Sequence, residues 1–253
     1  MGQSSTRAGK RGSPSPQILR AVLRLREMIL TGALPPGQRV AELRLVGEVG
    51  VSRTPLRLAM EALAHEGLLT RRASGGFSVR EFTLADVQHA IELRGSLEGV
   101  ACRFAADHHH TERDLAPLFA IVEALDAVLA GMRPAEDTLD RYVTLNRRFH
   151  ETVVALAHTP LVERLLDQVL SLPFASPSAF VQAQATSPES FRILVVAQEH
   201  HRTIARAIAD HDGARAESIA REHARLALRN LDAAVRDVEA FRRLPGGRLV
   251  RFG

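Results

Sequence analysis

Apolar positions near the N-terminal end of the chain follow two short helical periods separated by a tight turn. They recur at Leu45, Val46 and Val49 and again at Leu56, Met60 and Leu63. Each group places one apolar stripe on one face of a short helix. Gly50 permits the backbone to end the first helix and turn. Ser52 is a favourable N-cap for the second helix, and Pro55 is tolerated in its first turn.

Two arginines lie near the start of the second of these helices. Arg53 and Arg57 are four residues apart, on a side that the apolar residues do not occupy. Two short helices, a tight turn and arginines at this position describe a helix-turn-helix whose second helix can enter a major groove of DNA. Residues 42–66 alone leave a second interpretation open, which is a helical hairpin with two solvated arginines.

The flanking sequence favours the DNA-binding interpretation. Residues 67–72 predict a strand, Ser74-Gly75-Gly76 a turn, and Phe77-Ser78-Val79 a second strand. Upstream, a helix within residues 17–31 is followed by Leu34-Pro35-Pro36-Gly37, which predicts a rigid turn. The sequence therefore predicts a helix, a helix-turn-helix and a two-stranded wing in succession.

From Leu84 onwards the periodicity is helical, and no strand alternation appears. Thr83 is a suitable N-cap for the first of these helices, with Asp86 three residues later. Five further helices are predicted, from Leu115 to a stop at Gly131 and Pro134, then Leu139 to Ala157, Leu161 to Leu172, Phe191 to Ala209 and Ala214 to Arg242. A Pro/Ser-rich segment at 173–190 interrupts them. We therefore predict a mainly α protein, with an N-terminal winged helix-turn-helix and a C-terminal antiparallel all-helical bundle.

Charge is divided unevenly along the chain. The net charge is +3 over residues 1–16, +4 over 17–82, −7 over 83–240 and +4 over 241–253. A basic front part joined to an acidic remainder is typical of a DNA-binding module attached to another domain. We predict a disordered basic tail at 1–16, a DNA-binding domain at 17–82, a helical domain at 83–242 and a basic C-terminal tail at 243–253. The first tail either attracts phosphates weakly or has no function.

Composition excludes several classes of protein. No run of about 18 apolar residues exists to span a membrane, and residues 1–16 lack the apolar core of a signal peptide. Trp is absent and aromatic residues make up only 4% of the chain, so stacking platforms for single-stranded nucleic acid are not expected. The single cysteine, Cys102, lies in an apolar helical pattern, which fits a buried thiol in a reducing compartment. We therefore expect a cytoplasmic protein.

Four polar residues stand out within the predicted bundle. Asn146 and His150 are four apart on one helix, and His201 and His223 lie on the last two predicted helices, where the chain folds back. Three imidazoles and one oxygen are a sound ligand set for Zn²⁺, Ni²⁺ or a similar ion. Spacing alone leaves open that they are structural or solvated, because the chain has 11 histidines, including His108-His109-His110.

The N-terminal module resembles the winged helix-turn-helix of the GntR family of bacterial transcription regulators, in the order ILTGALPPGQRV…GVSRTPLRLAMEALAHEGLLTRR…GGF over about residues 20–82. The resemblance implies DNA contacts from the turn, the recognition helix and the wing tip, at Ser52, Arg53, Thr54, Arg57 and Gly76. The family usually has another DNA-contacting arginine where this chain has Leu43. Arg44 follows one position later, about 100° round the helix, and is the candidate for that contact.

The bundle resembles the effector domain, usually called FCD, of the FadR branch of that family. The resemblance is carried by Glu92-Leu93-Arg94, Leu97-Glu98, Asn146 to His150, His201 to Ile204, Ala207-Ile208 and Glu222-His223. It implies that a divalent transition metal, such as Zn or Ni, is bound and in turn holds a small carboxylate effector. The implied ligands are Asn146, His150, His201 and His223.

Several details of this pocket stay open from sequence. His200 competes with His201 for the same role, but the spacing to Ile204 and Ile208 favours His201. Asn146 offers a neutral amide oxygen, a weaker donor than a carboxylate. Arg94 either binds an anionic effector through its guanidinium or pairs with the residue four positions later. The 173–190 segment is either a cap on the pocket or a solvent loop.

These inferences predict a transcription regulator, a repressor, that binds double-stranded operator DNA as a homodimer. Its operator affinity would be controlled by a small organic acid bound in the helical domain. Two other functions remain open. In a metal sensor the ion is itself the signal. In a metal-dependent hydrolase Glu199 or Glu222 acts as general base, although no catalytic signature surrounds them.

Overall fold

The computed structural model describes residues 15–131, 136–180 and 188–252. Residues 1–14 of the predicted N-terminal tail, Pro134 of the predicted helix stop, and residues 181–187 of the Pro/Ser-rich segment lie outside the described residues. The mainly α architecture that the periodicity predicts is confirmed.

Three helices and a β-hairpin form the N-terminal domain. They are α1 (Pro16–Leu30), α2 (Glu42–Val49), α3 (Arg53–His65), β1 (Leu69–Arg71) and β2 (Phe77–Val79). Ser15 caps α1, because its side chain accepts a hydrogen bond from the Ile18 amide. Gly50 ends α2 in the left-handed conformation, with φ at 69°, and this conformation makes the tight turn before α3. The predicted helix-turn-helix is therefore confirmed.

The wing is an antiparallel hairpin whose inner side chains are buried. Leu69 pairs with Val79, and Arg71 pairs with Phe77. The turn between the strands contains Gly75 and Gly76, both with positive φ, at 85° and 79°. Glycine adopts this conformation at little cost because it lacks a Cβ. The strand, glycine turn and strand predicted from sequence are confirmed.

Helices form the second domain. They are α4 (Leu84–Asp107), α5 (Glu112–Ala130), α6 (Glu136–Leu156), α7 (Pro160–Leu170), α8 (Pro188–Ala209), α9 (Gly213–Ala234) and α10 (Val238–Arg243). The predicted cap at Thr83 is confirmed as a capping box with Asp86. α4 and α9 approach closely, since a Cβ added at Gly95 would lie 2.6 Å from the Cβ of Ala224. This close crossing brings the middle of α4 against the part of α9 that carries His223.

The prediction of one last helix from Ala214 to Arg242 is wrong. α9 ends at Ala234, and α10 begins after Asp237, whose side chain accepts a hydrogen bond from the Ala240 amide. A short polar side chain that caps a new first turn is the physical reason for the break.

The segment predicted as a basic C-terminal tail is packed against the rest of the chain. β4 (Val250–Arg251) pairs in parallel with β3 (Phe82–Thr83), directly before α4. Leu249 and Val250 are buried, and the Gly246 amide donates a hydrogen bond to a carbonyl at the end of α1. The prediction of no strands beyond the wing is therefore wrong here. The segment looks like a tail in sequence because its arginines stay exposed while only its few apolar residues are buried.

Two apolar cores are present among the described residues. One lies inside the helical bundle. The other belongs to the N-terminal domain but also takes in Phe174, Phe180, Leu231, Phe241 and Leu249 from the C-terminal half. The two domains thus meet at a shared apolar seam. None of the described helices combines the length and apolar character needed to cross a membrane.

Candidate functional site

The candidate DNA interface is the outward side of α3 together with the residue before it. Ser52 is extended, with φ −71° and ψ 170°, and its side chain makes no capping hydrogen bond. Arg53, Thr54 and Arg57 are exposed, whereas Leu56 is fully buried. The apolar face of α3 therefore anchors the helix while its first turn presents polar side chains to solvent.

Arg57 and one further arginine of this surface, Arg44, form weak ion pairs. The Nε atom of Arg57 lies 3.7 Å from Oε2 of Glu42, and the Nε atom of Arg44 lies 2.6 Å from Oε1 of Glu48. Both arginine side chains are 68% exposed, so these pairs contribute little and are easily exchanged for phosphate. Leu43, where the family usually has an arginine, is also exposed.

The wing extends the same basic surface. Arg71 contacts the carboxylate of Glu61, and its guanidinium carbon lies 5.6 Å from the centre of the Phe77 ring. Arg72 and Gly76 are exposed at the turn, where the Arg72 amide donates to the Gly76 carbonyl at 3.1 Å. The wing tip therefore presents a basic side chain and bare backbone.

The second candidate site lies inside the bundle, where three histidines from three helices converge. α6 supplies His150, α8 supplies His201, and α9 supplies His223, and one ligand atom from each lies within 4.8 Å of the other two. The ring centroids are 5.7 Å, 5.2 Å and 4.6 Å apart. We call these three residues the buried triad.

A glutamine fixes the orientation of one triad member. Oε1 of Gln198 lies 3.0 Å from Nδ1 of His201. The amide nitrogen of Gln198 donates to the Val122 carbonyl at 3.0 Å and to Oδ1 of Asp126 at 2.6 Å. Because the nitrogen is committed to these acceptors, the amide oxygen faces His201 and accepts its Nδ1 proton. The lone pair of His201 is then on Nε2, which is buried and has no hydrogen-bond partner among the described residues.

A buried carboxylate fixes another triad member. Oε1 of Glu98 lies 3.1 Å from Nδ1 of His150. Burial would raise the pKa of Glu98, but the charges on His150 and Arg94 and the hydrogen bond from His150 outweigh it and lower the pKa to about 2. Glu98 is therefore ionised and accepts the Nδ1 proton of His150. In the neutral form of that ring, the lone pair is on Nε2.

Each member of the buried triad has one buried ring nitrogen without a hydrogen-bond partner among the described residues. These atoms are Nε2 of His150, Nε2 of His201 and Nδ1 of His223. Burial first, and the neighbouring imidazoles second, hold the pKa values of His201 and His223 well below the usual value. Neutral imidazoles with unsatisfied lone pairs are the form in which histidine binds metal.

An arginine lies beside the buried triad with donors to spare. Arg94 is 2% exposed, and its Nε atom is 3.8 Å from Oε2 of Glu98. Nε and Nη1 of Arg94 make no hydrogen bond with the described residues. A cavity of about 30 Å³ is lined by Arg94, Asn146 and His223 among others. The guanidinium faces both Glu98 and this cavity. It can therefore pair with Glu98 and also bind an anion in the cavity, the two roles considered from sequence.

Asn146 is buried in the wall of the same cavity. Its amide nitrogen donates to Oγ of Ser178 at 3.0 Å. Its amide oxygen therefore faces away from Ser178. Ser178 belongs to the Pro/Ser-rich segment, whose described part also lines this cavity through Pro177 and Phe180. The imidazole of His200 lies beside the triad, with its ring centre 5.9 Å from that of His223.

Both halves of the chain match known protein families. The family model described as FCD domain matches residues 89–226, and the model described as bacterial regulatory proteins, gntR family, matches residues 17–79. The chain belongs to the GntR family. It combines the DNA-binding domain of these transcriptional regulators with an FCD domain.

Relatives of this GntR-family regulator are named as transcriptional regulators. It is 33% identical over 163 residues to the uncharacterized HTH-type transcriptional regulator YdhC of Bacillus subtilis, covering 64% of this chain and 70% of that protein. It is 32% identical over 131 residues to the probable D-xylose utilization operon transcriptional repressor of Paenarthrobacter nicotinovorans, covering 51% and 54%. The solved structure of E. coli McbR/YncC shares the fold, with a TM-score of 0.57, 20% identity and coverage of 86% and 96%.

This GntR-family chain is a DNA-binding transcriptional regulator and not an enzyme. The two glutamates considered as general bases are engaged elsewhere. Glu199 accepts a hydrogen bond from Arg202 at 2.6 Å, and Glu222 accepts one from Arg225 at 3.2 Å. The hydrolase alternative therefore has no support.

Two residues of the regulator's inner site were missed in the sequence. Gln198 is three positions before His201 and therefore on the same side of α8, and a polar residue at a buried helical position was the available signal. Ser178 carried no such signal, because a serine in a Pro/Ser-rich segment is indistinguishable from a solvated one. Glu98 was noted in the resemblance and as a partner of Arg94, but its bond to His150 was not predicted.

Proposed function

We propose that this regulator, a member of the FadR branch, represses transcription by binding operator DNA in the cytoplasm as a homodimer. We further propose that its operator affinity is controlled by a small organic acid bound to a divalent transition metal in the FCD domain. One observation carries the second part. Three unsatisfied histidine nitrogens converge in a buried pocket beside an arginine that has free donors.

DNA reading is assigned to the outward residues of the N-terminal domain. Ser52, Arg53, Thr54 and Arg57 would contact one half-site in the major groove, since they are exposed at the start of α3. Gly76 and Arg44 would add contacts to backbone phosphates or the minor groove. A homodimer would present two such surfaces to a near-palindromic operator, with half-sites about one helical turn apart. The Paenarthrobacter relative is named a probable transcriptional repressor, which supports repression as the role of this chain.

The metal is assigned to His150, His201 and His223, with Asn146 as the oxygen donor. Imidazole ligands and a site of low coordination fit Zn²⁺ or Ni²⁺. Hydrogen bonds from the second nitrogens of His150 and His201 to Glu98 and Gln198 support the assignment, because metal-bound histidines almost always make such bonds.

The effector is assigned to the cavity that Arg94 lines. A guanidinium with free donors matches the two oxygens of a carboxylate. The cavity of about 30 Å³ holds only about two water-sized groups, so the acid must be small or its entry must open the pocket. Among the described residues, the part of the cavity wall that would move to admit the acid is the segment of Pro177, Ser178 and Phe180.

A route from this pocket to the DNA-binding domain supports coupling between the two sites. Phe174 and Phe180 stack at 5.3 Å between ring centres, and Phe174 lies 4.7 Å from Phe241. Phe241 in turn packs at 5.4 Å on Phe252, next to β4. Displacement of the cavity wall by an effector would therefore reach β3 and the start of α4. Coupling through such a packed seam needs two arrangements of the seam with different DNA affinity.

Elemental analysis of the purified chain tests the metal assignment. We expect about one transition-metal ion per chain, lost in a His150→Ala, His201→Ala double variant and retained in His89→Ala, which changes an exposed histidine outside the pocket. Operator fragments selected from a random DNA pool would then be titrated with small carboxylates. Absence of metal from every preparation, including one reloaded with Zn²⁺ or Ni²⁺, would overturn the metal assignment while leaving DNA binding intact.

A metal sensor is the second candidate function. It is favoured by the small size of the cavity, because the triad can take an ion without any organic ligand. The two functions predict different titrations. DNA affinity that follows metal concentration in the absence of any acid would favour the sensor, whereas an effect that requires both components favours the effector model.

A further inference from the structure

A second group of histidines lies on the surface, away from the buried triad. His108 and His110 follow the end of α4, and His158 follows the end of α6. His108 is ten residues beyond Glu98, which corresponds to about 15 Å along the helix axis. The ring centres of the three are 5.3 Å, 6.0 Å and 6.1 Å apart. We call them the surface trio.

Backbone carbonyls orient two members of the surface trio. Nε2 of His108 lies 3.2 Å from the Ala157 carbonyl, and Nε2 of His110 lies 2.9 Å from the Ala105 carbonyl. A carbonyl only accepts, so each Nε2 carries the proton and donates. The lone pair of each neutral ring is then on Nδ1. This is the arrangement of metal-binding histidines, whose second nitrogen usually donates to a carbonyl or carboxylate.

We propose that the surface trio is a second site for a divalent transition-metal ion, such as Ni²⁺, Zn²⁺ or Cu²⁺. Imidazole nitrogen is the ligand that these ions share. The proposal does not depend on the buried triad, because the two groups have no residue in common.

A nearby carboxylate favours a cation at this place. Asp114 lies in the first turn of α5, four residues after His110, and its carboxylate accepts hydrogen bonds from the amide and hydroxyl of Thr111 at the helix cap. The helical domain as a whole is acidic, with a net charge of −7 over residues 83–240, which also attracts cations.

The surface trio differs from the buried triad in how ready it is to bind. Among the described residues, the triad is the histidine group whose ligand atoms already lie within 4.8 Å of one another. His108 and His158 are exposed and must turn about their side-chain bonds to close on an ion. We therefore expect weaker binding at the trio. An ion held there would tie the end of α4 to the end of α6, the helices that also carry Glu98 and His150.

The proposal is tested by calorimetric titration of a variant in which the buried triad is disrupted. The protein is the full chain without a histidine tag, stripped of metal and carrying His150→Ala and His201→Ala. We expect Ni²⁺ to bind this variant at one ion per chain. The binding should disappear when His108→Ala and His158→Ala are added, and persist when His109→Ala and His211→Ala are added instead. His109 and His211 are a matched control, since their rings also approach each other, at 5.4 Å.

Three results would overturn the proposal. They are no saturable Ni²⁺ binding in the variant with the disrupted triad, binding that survives removal of His108 and His158, and binding that depends on His109 and His211. Circular dichroism and thermal unfolding of each variant show that it is folded. Failure of the buried triad to bind metal would leave this test unaffected, because two of its three histidines are already replaced in the variant.

Discussion

The two domains contain the same arginine–glutamate spacing in opposite environments. Arg44 and Glu48 on α2 are 2.6 Å apart, with 68% and 36% of their side chains exposed. Arg94 and Glu98 on α4 are 3.8 Å apart, with only 2% and 7% exposed. The shorter pair is the weaker, because water screens it and competes for both partners. The longer pair is surrounded by protein, so neither partner can be removed without leaving an isolated buried charge.

The comparison shows how each domain uses its charges. The DNA-binding domain keeps its arginines in water, where they exchange a carboxylate for a phosphate at little cost. The FCD domain buries Arg94 and leaves two of its nitrogen atoms without partners among the described residues. Such a group destabilises the empty protein and is stabilised by an anionic ligand. The exposed arginines can exchange one anionic partner for another, whereas a buried anionic ligand would supply the hydrogen-bond partners that Arg94 lacks.

The largest expected effect comes from breaking the buried pair. Glu98→Ala should lower the free energy of unfolding by about 3–5 kcal/mol, because Arg94 would be left as an uncompensated buried charge. Glu48→Ala breaks the exposed pair and should cost less than about 1 kcal/mol. Urea unfolding monitored by circular dichroism measures both. Equal losses in the two variants would mean that burial does not separate these pairs.

Removing an arginine from the proposed DNA-reading side of α3 should affect DNA binding but not folding. Arg57→Ala should weaken operator binding by about 1–3 kcal/mol if the side chain reads a base. Its free energy of unfolding should be nearly unchanged, since the pair with Glu42 is exposed. Fluorescence anisotropy on a selected operator, at several salt concentrations, measures the effect. Arg225→Ala on α9 is the control for loss of an exposed arginine, and an unchanged affinity and salt slope in Arg57→Ala would contradict the assignment of α3.

A third comparison concerns two glutamine–histidine bonds. Gln198 bonds buried His201, whereas Gln168 bonds exposed His65, each at 3.0 Å. Gln198→Leu should weaken metal binding about 10–100-fold, because outer partners orient metal-bound histidines. Gln168→Leu should leave metal binding unchanged. Competition with a metal-binding dye measures both, and a normal metal affinity in Gln198→Leu would show that packing alone orients His201.

The smallest expected effect concerns the N-cap residues of two helices, α4 and α3. The Thr83 side chain accepts a hydrogen bond from the Asp86 amide, so Thr83→Ala should cost about 0.5–2 kcal/mol of stability. Ser52 occupies the N-cap position of α3 but makes no such bond. Ser52→Ala should therefore change stability very little while it weakens operator binding. Thermal unfolding and DNA titration of both variants test this, and a larger stability loss in Ser52→Ala would refute it.

Local patterns made most of the fold predictable. The helices, the wing and the cap at Thr83 follow from periodicity, glycine positions and side-chain spacing over a few residues. β4 did not follow, because a two-residue strand is defined only by its distant partner, Phe82 with Val250. The break before Asp237 was missed because apolar residues continue at helical spacing across it.

The sequence pointed to four residues of the inner site. Asn146 and His150 could be paired by spacing, and His201 and His223 were noted on two helices between which the chain folds back. The resemblance to FCD domains then implied all four as ligands. The three-dimensional meeting of Glu98, Gln198 and Ser178 with these residues depends on how four helices and a loop pack. No pattern within a single segment contains that information.

The pairing of β3 with β4 affects the order in which parts of the regulator fold during synthesis. The two strands are separated by the whole FCD domain along the chain, and chains fold from the N-terminal end during synthesis. The DNA-binding domain can therefore fold on the ribosome long before its partner strand has been translated. Until Val250 emerges, the DNA-binding domain lacks its contacts with β4 and with the buried apolar residues near the C-terminal end of the chain.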